Sequence, residues 1–178
     1  MFETRDLLTT RTTSSRMRPV CGTVEEWLAS AHPSPSTVCE EWDSIAQLAL
    51  IPLGRGFEAV RIHEDIVHGF AGSDDSATVS ARLAESLNGG PVIRDPGFHR
   101  YYALVPPGTA EAWRTLVAEC ISAGTYLGVP RADRVESNGG TRTSYWSVPM
   151  SRPDGLCTAA DVLTLVQVGH CPAREDES

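Results

Sequence analysis

Apolar positions recur along this chain with two periods, and the changes between them divide it into elements. Thr23 with Glu26 makes a capping box for a helix carrying Val24, Trp27 and Leu28. Thr37 with Glu40 repeats the signature after the break "HPSPS", with Val38, Trp42 and Ile45 at i, i+4 and i+7. "QLALIPL" and "GFEAVRI" read as two adjacent strands joined by Gly54-Arg55-Gly56. "EDIVHGF" predicts a brief helix. Residues 75–87 predict a longer one, with Val79, Leu83 and Leu87 on one stripe and Gly89 as its stop. "PVIRD" and "HRYYALV" form a hairpin around Pro96-Gly97. After "PPGT" the pattern predicts a helix with Trp113, Leu116 and Val117. "TYLGV" and "SYWSV" then make a second strand pair across the loop "PRADRVESNGGTRT". Thr158 with Asp161 opens a last amphipathic helix ending at Gly169. Strands paired close in sequence and interleaved with helices predict an α+β fold, a mainly antiparallel sheet covered by helices on one face.

Composition agrees with one ordinary domain: 178 residues, 41% hydrophobic and 21% charged. Residues 1–20, rich in Thr, Ser and Arg without a sustained apolar period, read as a flexible arm, residues 21–170 as the domain, and residues 171–178 as a loose acidic tail. No apolar run is long enough for a membrane helix and no secretory signal opens the chain, so a cytoplasmic protein is expected. All 15 basic residues are arginine, the mark of a GC-rich, actinobacterial type of genome. The net charge of −8 disfavours a phosphate backbone as partner unless the arginines cluster. Cys21, Cys39, Cys120, Cys157 and Cys171 are widely spaced, odd in number and without a CxxC, which argues against a disulfide framework or a zinc ribbon and for buried reduced thiols. His170-Cys171 is an unaccompanied pair.

Candidate chemistry concentrates where the strand "GFEAVRI" meets the helix "EDIVHGF". Period two puts Phe57, Ala59, Arg61 and His63 on one sheet face and Glu58, Val60 and Ile62 on the other. Val60 and Ile62 suit the helix-covered face, which leaves Arg61 and His63 on the opposite one. In "GFHRYYALV", His99, Tyr101 and Ala103 share a face.

The order of the pieces "EEWLASA", "LIPLGRGFEAVRI", "GFHRYYALVPPGT" and "TYLGVPRADRVESNGGTRTSYWSVP" resembles small actinobacterial proteins related to the N-terminal domain of bifunctional DNA primase/polymerases, in the archaeo-eukaryotic primase superfamily. The resemblance spans residues 23–169 and implies a primase-polymerase palm. It also implies two-metal nucleotidyl transfer: an Asp-x-Asp pair at a strand end, a histidine on a neighbouring strand for the triphosphate, and a further acid. Two divalent ions about 3.5–4 Å apart need several carboxylate oxygens to hold them. The pair would fall at Arg61 and His63, and neither is a hard oxygen ligand. His99 matches the family's Gly-x-His strand and is the implied phosphate contact. The further acid has no match, since Asp133 and Glu136 lie in a loop.

The expectation is therefore a palm-like protein with degenerate catalytic acids, a regulatory or protein-interaction module that retains residual phosphate or nucleotide binding. Arg61, His63, His99, Arg100, Tyr101 and Tyr145 are the candidate ligand-binding residues, for a phosphate or an acidic partner. The competing reading of Arg61 and His63 is a solvated, partly paired strand end. No catalytic residue, metal ligand or cofactor is assigned, and a protein partner is expected. One alternative is a working nucleotidyltransferase whose magnesium or manganese is held by Glu58, Glu64, Asp65 or Asp95. Another is a single-stranded nucleic-acid binder stacking bases on Tyr101, Tyr102, Tyr145 and Trp146. The Gly54–Gly56 pair lacks a dinucleotide fingerprint's third glycine and reads as a turn, as does Asn138-Gly139-Gly140.

Overall fold

The computed structural model describes residues 23–135 and 142–171. The arm at residues 1–20, Cys21, the Thr23 side chain, Glu136, the Asn138-Gly139-Gly140 turn and residues 172–178 of the tail lie outside the described residues. The described chain forms α1 (Thr23–Ser30), α2 (Pro35–Trp42), β1 (Leu48–Pro52), β2 (Glu58–His63), α3 (Glu64–Ala71), α4 (Ser76–Ser86), β3 (Val92–Asp95), β4 (Arg100–Val105), α5 (Thr109–Ala112), β5 (Glu119–Ile121), β6 (Tyr126–Pro130), β7 (Tyr145–Val148) and α6 (Ala159–His170). No described helix is long and apolar enough to cross a membrane.

The fold is α+β with antiparallel sheets. Five strands form one sheet in the order β5-β2-β4-β3-β7, and β1 with β6 forms a separate two-stranded ribbon. The hairpin expected of β3 and β4 is present, with Val92 opposite Ala103 and Asp95 opposite Arg100. Other pairings differ from the sequence reading. β1 and β2 are joined by a turn closed from Gly54 N–H to the Phe57 carbonyl (2.8 Å), yet they lie in different sheets. β6 and β7 do not pair with each other, for β6 lies along β1 and β7 along β3. Strand order is a tertiary choice that local pattern does not fix.

Helix ends follow local chemistry. Asp75 caps α4 by accepting from Thr78 N–H (2.9 Å), and Thr158 caps α6 by accepting from Asp161 N–H (3.2 Å). α3 ends at Gly72 in the left-handed region, φ 68°. α2 starts earlier than its Thr37 signature, with Ser34 as N-cap and Pro35 in the first turn. Val38 and Trp42 are buried as expected, but Ile45 falls beyond the helix and is fully exposed. The helix expected around Trp113, Leu116 and Val117 is only the short α5. Trp113 is already extended, its indole N–H donating to the Ala118 carbonyl (2.8 Å), and the chain goes on into the unforeseen edge strand β5.

Two apolar clusters sandwich the five-stranded sheet. Val60, Ile62, Val92, Tyr101, Ala103, Val105 and Val148 meet α3, α4 and α6 on one face. Ala59, Ile93, Leu104 and Trp146 face the other cluster, which holds α1, α2 and the inner face of the ribbon. β7 bulges between its pairings with Val92 and Ile93, which turns Trp146 and Val148 to opposite clusters. Among the described cysteines Cys157 is buried, Cys39 and Cys120 are half-buried and Cys171 is exposed, so burial is not the rule expected of them.

Two features stiffen this frame. At the α3–α6 crossing, Gly169 lies against the Ile66 carbonyl, and a Cβ on Gly69 would come within 2.8 Å of the Gly169 carbonyl oxygen. Glu58, only 3% exposed, accepts from Gly108 N–H (3.0 Å), Ala110 N–H (2.7 Å) and the Ser122 hydroxyl (2.6 Å), with the Cys120 thiol at 3.8 Å. One carboxylate thus ties the segment before α5 and the strand β5 to β2. Burial alone would raise the Glu58 carboxyl, but those hydrogen bonds outweigh it and hold it below the usual carboxylate range. The same surroundings push the Cys120 thiol up to about 12, through burial and the neighbouring Glu58 charge, so it stays protonated.

Candidate functional site

The strand end that carries Arg61 and His63 runs directly into α3, beside the β3–β4 turn. Register puts Arg61 opposite Tyr102 and His63 opposite Arg100, and direct cross-strand partners share a face. Arg61, His63 and Arg100 therefore stand on the face away from α3, α4 and α6. Arg61 forms an ion pair with Glu119 of β5. His63 is the N-cap of α3, its Nδ1 accepting from Asp65 N–H (3.3 Å) with the Asp65 carboxylate at 3.2 Å. Both residues are thus engaged in holding local structure.

The other three candidates belong to the helix-covered side, so the sheet divides the six rather than gathering them. His99 is not on the strand; it closes the turn in the left-handed region, φ 56°. Its Nδ1 meets Glu64 Oε1 at 2.7 Å, and its carbonyl accepts from Glu64 N–H (2.9 Å). The other Glu64 oxygen takes the Arg94 guanidinium in an ion pair, where Arg94 is 12% exposed. That guanidinium lies 4.5 Å from the centre of the Tyr101 ring. The Tyr101 hydroxyl reaches His68 Nε2 (3.4 Å), and Tyr145 is the buried cross-strand neighbour of Arg94. Arg94 Nη1 is buried and has no hydrogen-bond partner among the described residues.

The charges in this network are mutually set. Burial would raise the Glu64 carboxyl, but the hydrogen bonds and charges of Arg94 and His99 outweigh it and hold it below the usual carboxylate range. Burial pushes the Tyr101 phenol up to about 12, with Arg94 opposing and Tyr145 and Glu64 reinforcing, so Tyr101 donates a proton to hydrogen bonds and does not ionise. The exposed part of the network is the His99 ring, 65% exposed at its side chain and held through Nδ1.

Glu64, Arg94 and His68 complete the network around His99 and Tyr101. Arg94 had a readable signal. It follows Val92 by two on a short strand, which aims a cation at the helix-covered face, and Glu64 is the first residue of the helix lying there. The aromatic residues considered for base stacking lie inside: Tyr101, Tyr145 and Trp146 are buried and Tyr102 packs against the core.

The residues at the implied metal position do not fit a pair of divalent ions. Arg61 and His63 offer no oxygen, and both Glu64 oxygens are taken by Arg94 and His99. Asp95 Oδ1 accepts from Phe98 N–H (3.3 Å), and Glu58 sits at the far end of β2. Among the described residues no three His, Cys, Asp or Glu side chains are grouped so as to share a metal ion. No protein-family model matches the chain, and no curated protein or solved structure matches it either.

The two ion pairs differ in burial, and their removal should cost differently. Arg94→Met strands the half-buried Glu64 charge and is expected to lower stability by about 2 kcal/mol, less than a fully buried pair would give. Arg61→Met, at the more exposed pair, is expected to cost about 0.5 kcal/mol. Urea midpoints of the two variants check this. Equal losses would mean that the Glu64 network is no more than surface charge.

Proposed function

We propose that this chain is a non-catalytic relative of the primase-polymerase palm, a cytoplasmic regulatory or protein-interaction module with one surface corner suited to a phosphate or acidic group. The observation behind this reading is the use made of the strand end where the resemblance calls for two acids. Arg61 is committed to Glu119 and His63 to capping α3. Glu64, the next residue along the chain, has its two oxygens committed to Arg94 and His99. A nucleotidyl-transfer centre needs oxygens free to clamp metals against a triphosphate. A corner made of a buried guanidinium and an exposed imidazole is suited instead to an anion when the His99 ring carries both protons, Nδ1 donating to Glu64 and Nε2 to the anion's oxygens.

The test is calorimetry of ATP binding, with and without magnesium or manganese, on wild type and on His99→Ala. Weak binding that does not depend on metal is expected, reduced about fivefold or more in His99→Ala, a change on the scale of one charge-assisted hydrogen bond. Metal-dependent binding that His99→Ala abolishes would overturn the reading and restore nucleotidyl transfer. Wild type and His99→Ala binding ATP equally would remove the anion corner and leave the protein-interaction role to stand on other surfaces.

A further inference from the structure

His99 is fixed at two points, and both belong to the first residue of α3. It takes the last position of the β3–β4 turn, where its carbonyl accepts from Glu64 N–H (2.9 Å). Its ring Nδ1 lies 2.7 Å from Glu64 Oε1. An ionised carboxylate can only accept, so the hydrogen in that contact belongs to the imidazole. Glu64 is ionised: burial works against its charge, but the bonds from Arg94 and His99 outweigh it. A neutral His99 ring therefore keeps its single proton on Nδ1, and its Nε2 carries a lone pair. Among the described residues Nε2 makes no hydrogen bond. Toward an anion's oxygen that nitrogen is acceptor against acceptor.

Arg94 makes this arrangement one-way. A guanidinium has donors only, and it holds the other Glu64 oxygen from a site 12% exposed, so the carboxylate has no reason to take a proton and turn it toward His99. The remaining charged groups around the turn leave the ring's state to Glu64. From α3, His68 Nε2 is engaged with the Tyr101 hydroxyl (3.4 Å), which burial keeps protonated, and Asp65 is engaged with His63 of β2 on the other side of the strand end. From β3, Asp95 Oδ1 accepts from Phe98 N–H (3.3 Å). Arg100 opens β4 on the far face, and Arg142 passes the turn with its carbonyl 3.1 Å from where a Gly97 Cβ would stand. Arginine keeps its charge throughout the neutral range, so Arg100 and Arg142 add an attraction for anions that does not vary with pH.

We infer that the His99 corner is proton-gated: Glu64 holds the ring's first proton on Nδ1, so an anion binds only as Nε2 takes up a second proton. His99 meets the anion, and Glu64 and Arg94 are positioning residues behind it. One proton enters from solvent for each anion bound, and no covalent bond other than N–H is made. This names the regulation of the anion corner proposed above, and rests on that reading. The corner is open in acid and closed in alkali, with affinity falling about tenfold per pH unit once the free ring is neutral.

The test uses nitrogen NMR of the full chain, with its histidine rings labelled and assigned, so that His63 and His68 are read apart from His99. Sulfate is the probe because, unlike a phosphate ester with a second pKa of about 6, it keeps a constant charge through the neutral range. In the wild type the neutral His99 ring is expected to show its proton on Nδ1. Sulfate is expected to shift the Nε2 signal and to bind about tenfold or more weakly at about pH 8.5 than at about pH 5.5, at constant ionic strength. Glu64→Gln reverses the lock: Arg94 keeps the amide oxygen, the amide N–H₂ turns to Nδ1, and the neutral ring's proton moves to Nε2. That variant is expected to lose no more than about threefold in affinity over the same range, since only the charge assistance of the bond changes. A neutral wild-type ring protonated on Nε2, or a slope with pH as steep in Glu64→Gln as in the wild type, overturns the inference. If Glu64→Gln does not fold, the wild-type ring state and slope decide it alone. Sulfate binding at His99 that does not vary with pH sinks the gate and leaves the anion corner; no effect of sulfate on His99 at any pH sinks the corner and the gate together.

Discussion

Gly169→Ala is expected to be among the most damaging single-methyl additions this protein can receive. The added Cβ would fall inside the van der Waals shell of the Ile66 carbonyl oxygen and 3.0 Å from the carbonyl carbon, with the Ile66 side chain at 3.1 Å. The obstacle is mostly backbone, so no rotamer change relieves it. The two helices must part, loosening Val67, Val162, Leu165 and Val166, all of which the crossing buries. Overpacking in a well-filled core costs about 1–3 kcal/mol and occasionally more, and the upper end applies where backbone must move. For a chain of this size that corresponds to a fall in Tm of roughly 6–12 °C. A thermal melt decides it. A shift of about 2 °C or less would show that α6 can slide past α3 at little cost.

The second large effect is expected at Glu58. Glu58→Ala leaves Gly108 N–H, Ala110 N–H and the Ser122 hydroxyl facing a cavity, and should destabilise by about 3–5 kcal/mol, the sum of a lost volume and stranded donors. Glu58→Gln keeps an acceptor but turns an amide N–H₂ toward those donors, for about 1–3 kcal/mol. The wild type also makes a prediction in pH. The folded-state pKa of Glu58 is depressed, so its contribution is fully present above the ordinary carboxylate value of about 4.3 and is lost as pH falls through the lower folded value. Glu64 acts in the same direction. Urea unfolding of the wild type should therefore weaken steeply as pH falls from about 5 to 3, and Glu58→Gln should show a shallower slope over that window. Parallel slopes would mean that Glu58 titrates as an ordinary carboxyl.

Neither residue is conspicuous in the sequence, and the reasons differ. Gly169 closes a helix whose capping and apolar face were plain, but a close approach between α3 and α6 involves segments about a hundred residues apart and leaves no local trace. Glu58 was legible only as an acid on the Val60–Ile62 face. Its donors come from the chain between Pro106 and Ser122, which local pattern assigned to a helix. That misreading has a physical origin. Trp113, Leu116 and Val117 have helical spacing, but Trp113 folds back on the Ala118 carbonyl and Leu116 is left fully exposed. What was legible was whatever is decided within a few residues: the caps of α4 and α6, the β3–β4 hairpin, and the alternation that puts Arg61 and His63 opposite Val60 and Ile62. The candidate site was half legible on the same terms. Period two correctly grouped Tyr101 with Ala103, but could not show that Glu64 and Arg94 would claim one side of the strand end while Glu119 and Asp65 claimed the other.

The β1–β6 ribbon also bears on how the chain assembles. The β3–β4 hairpin closes a turn of a few residues, whereas the ribbon joins distant parts of the chain, as does the Trp42 indole, which donates to a carbonyl 87 residues away. Closing so long a loop carries an entropic cost that contacts repay only once the segments between are ordered. During synthesis the apolar stretch Leu48–Pro52 leaves the ribosome long before its partner exists, so nascent chains hold an unpaired hydrophobic strand until Tyr126–Pro130 arrives. Slowing translation between those points should lengthen that interval and raise the fraction of chain lost to aggregation.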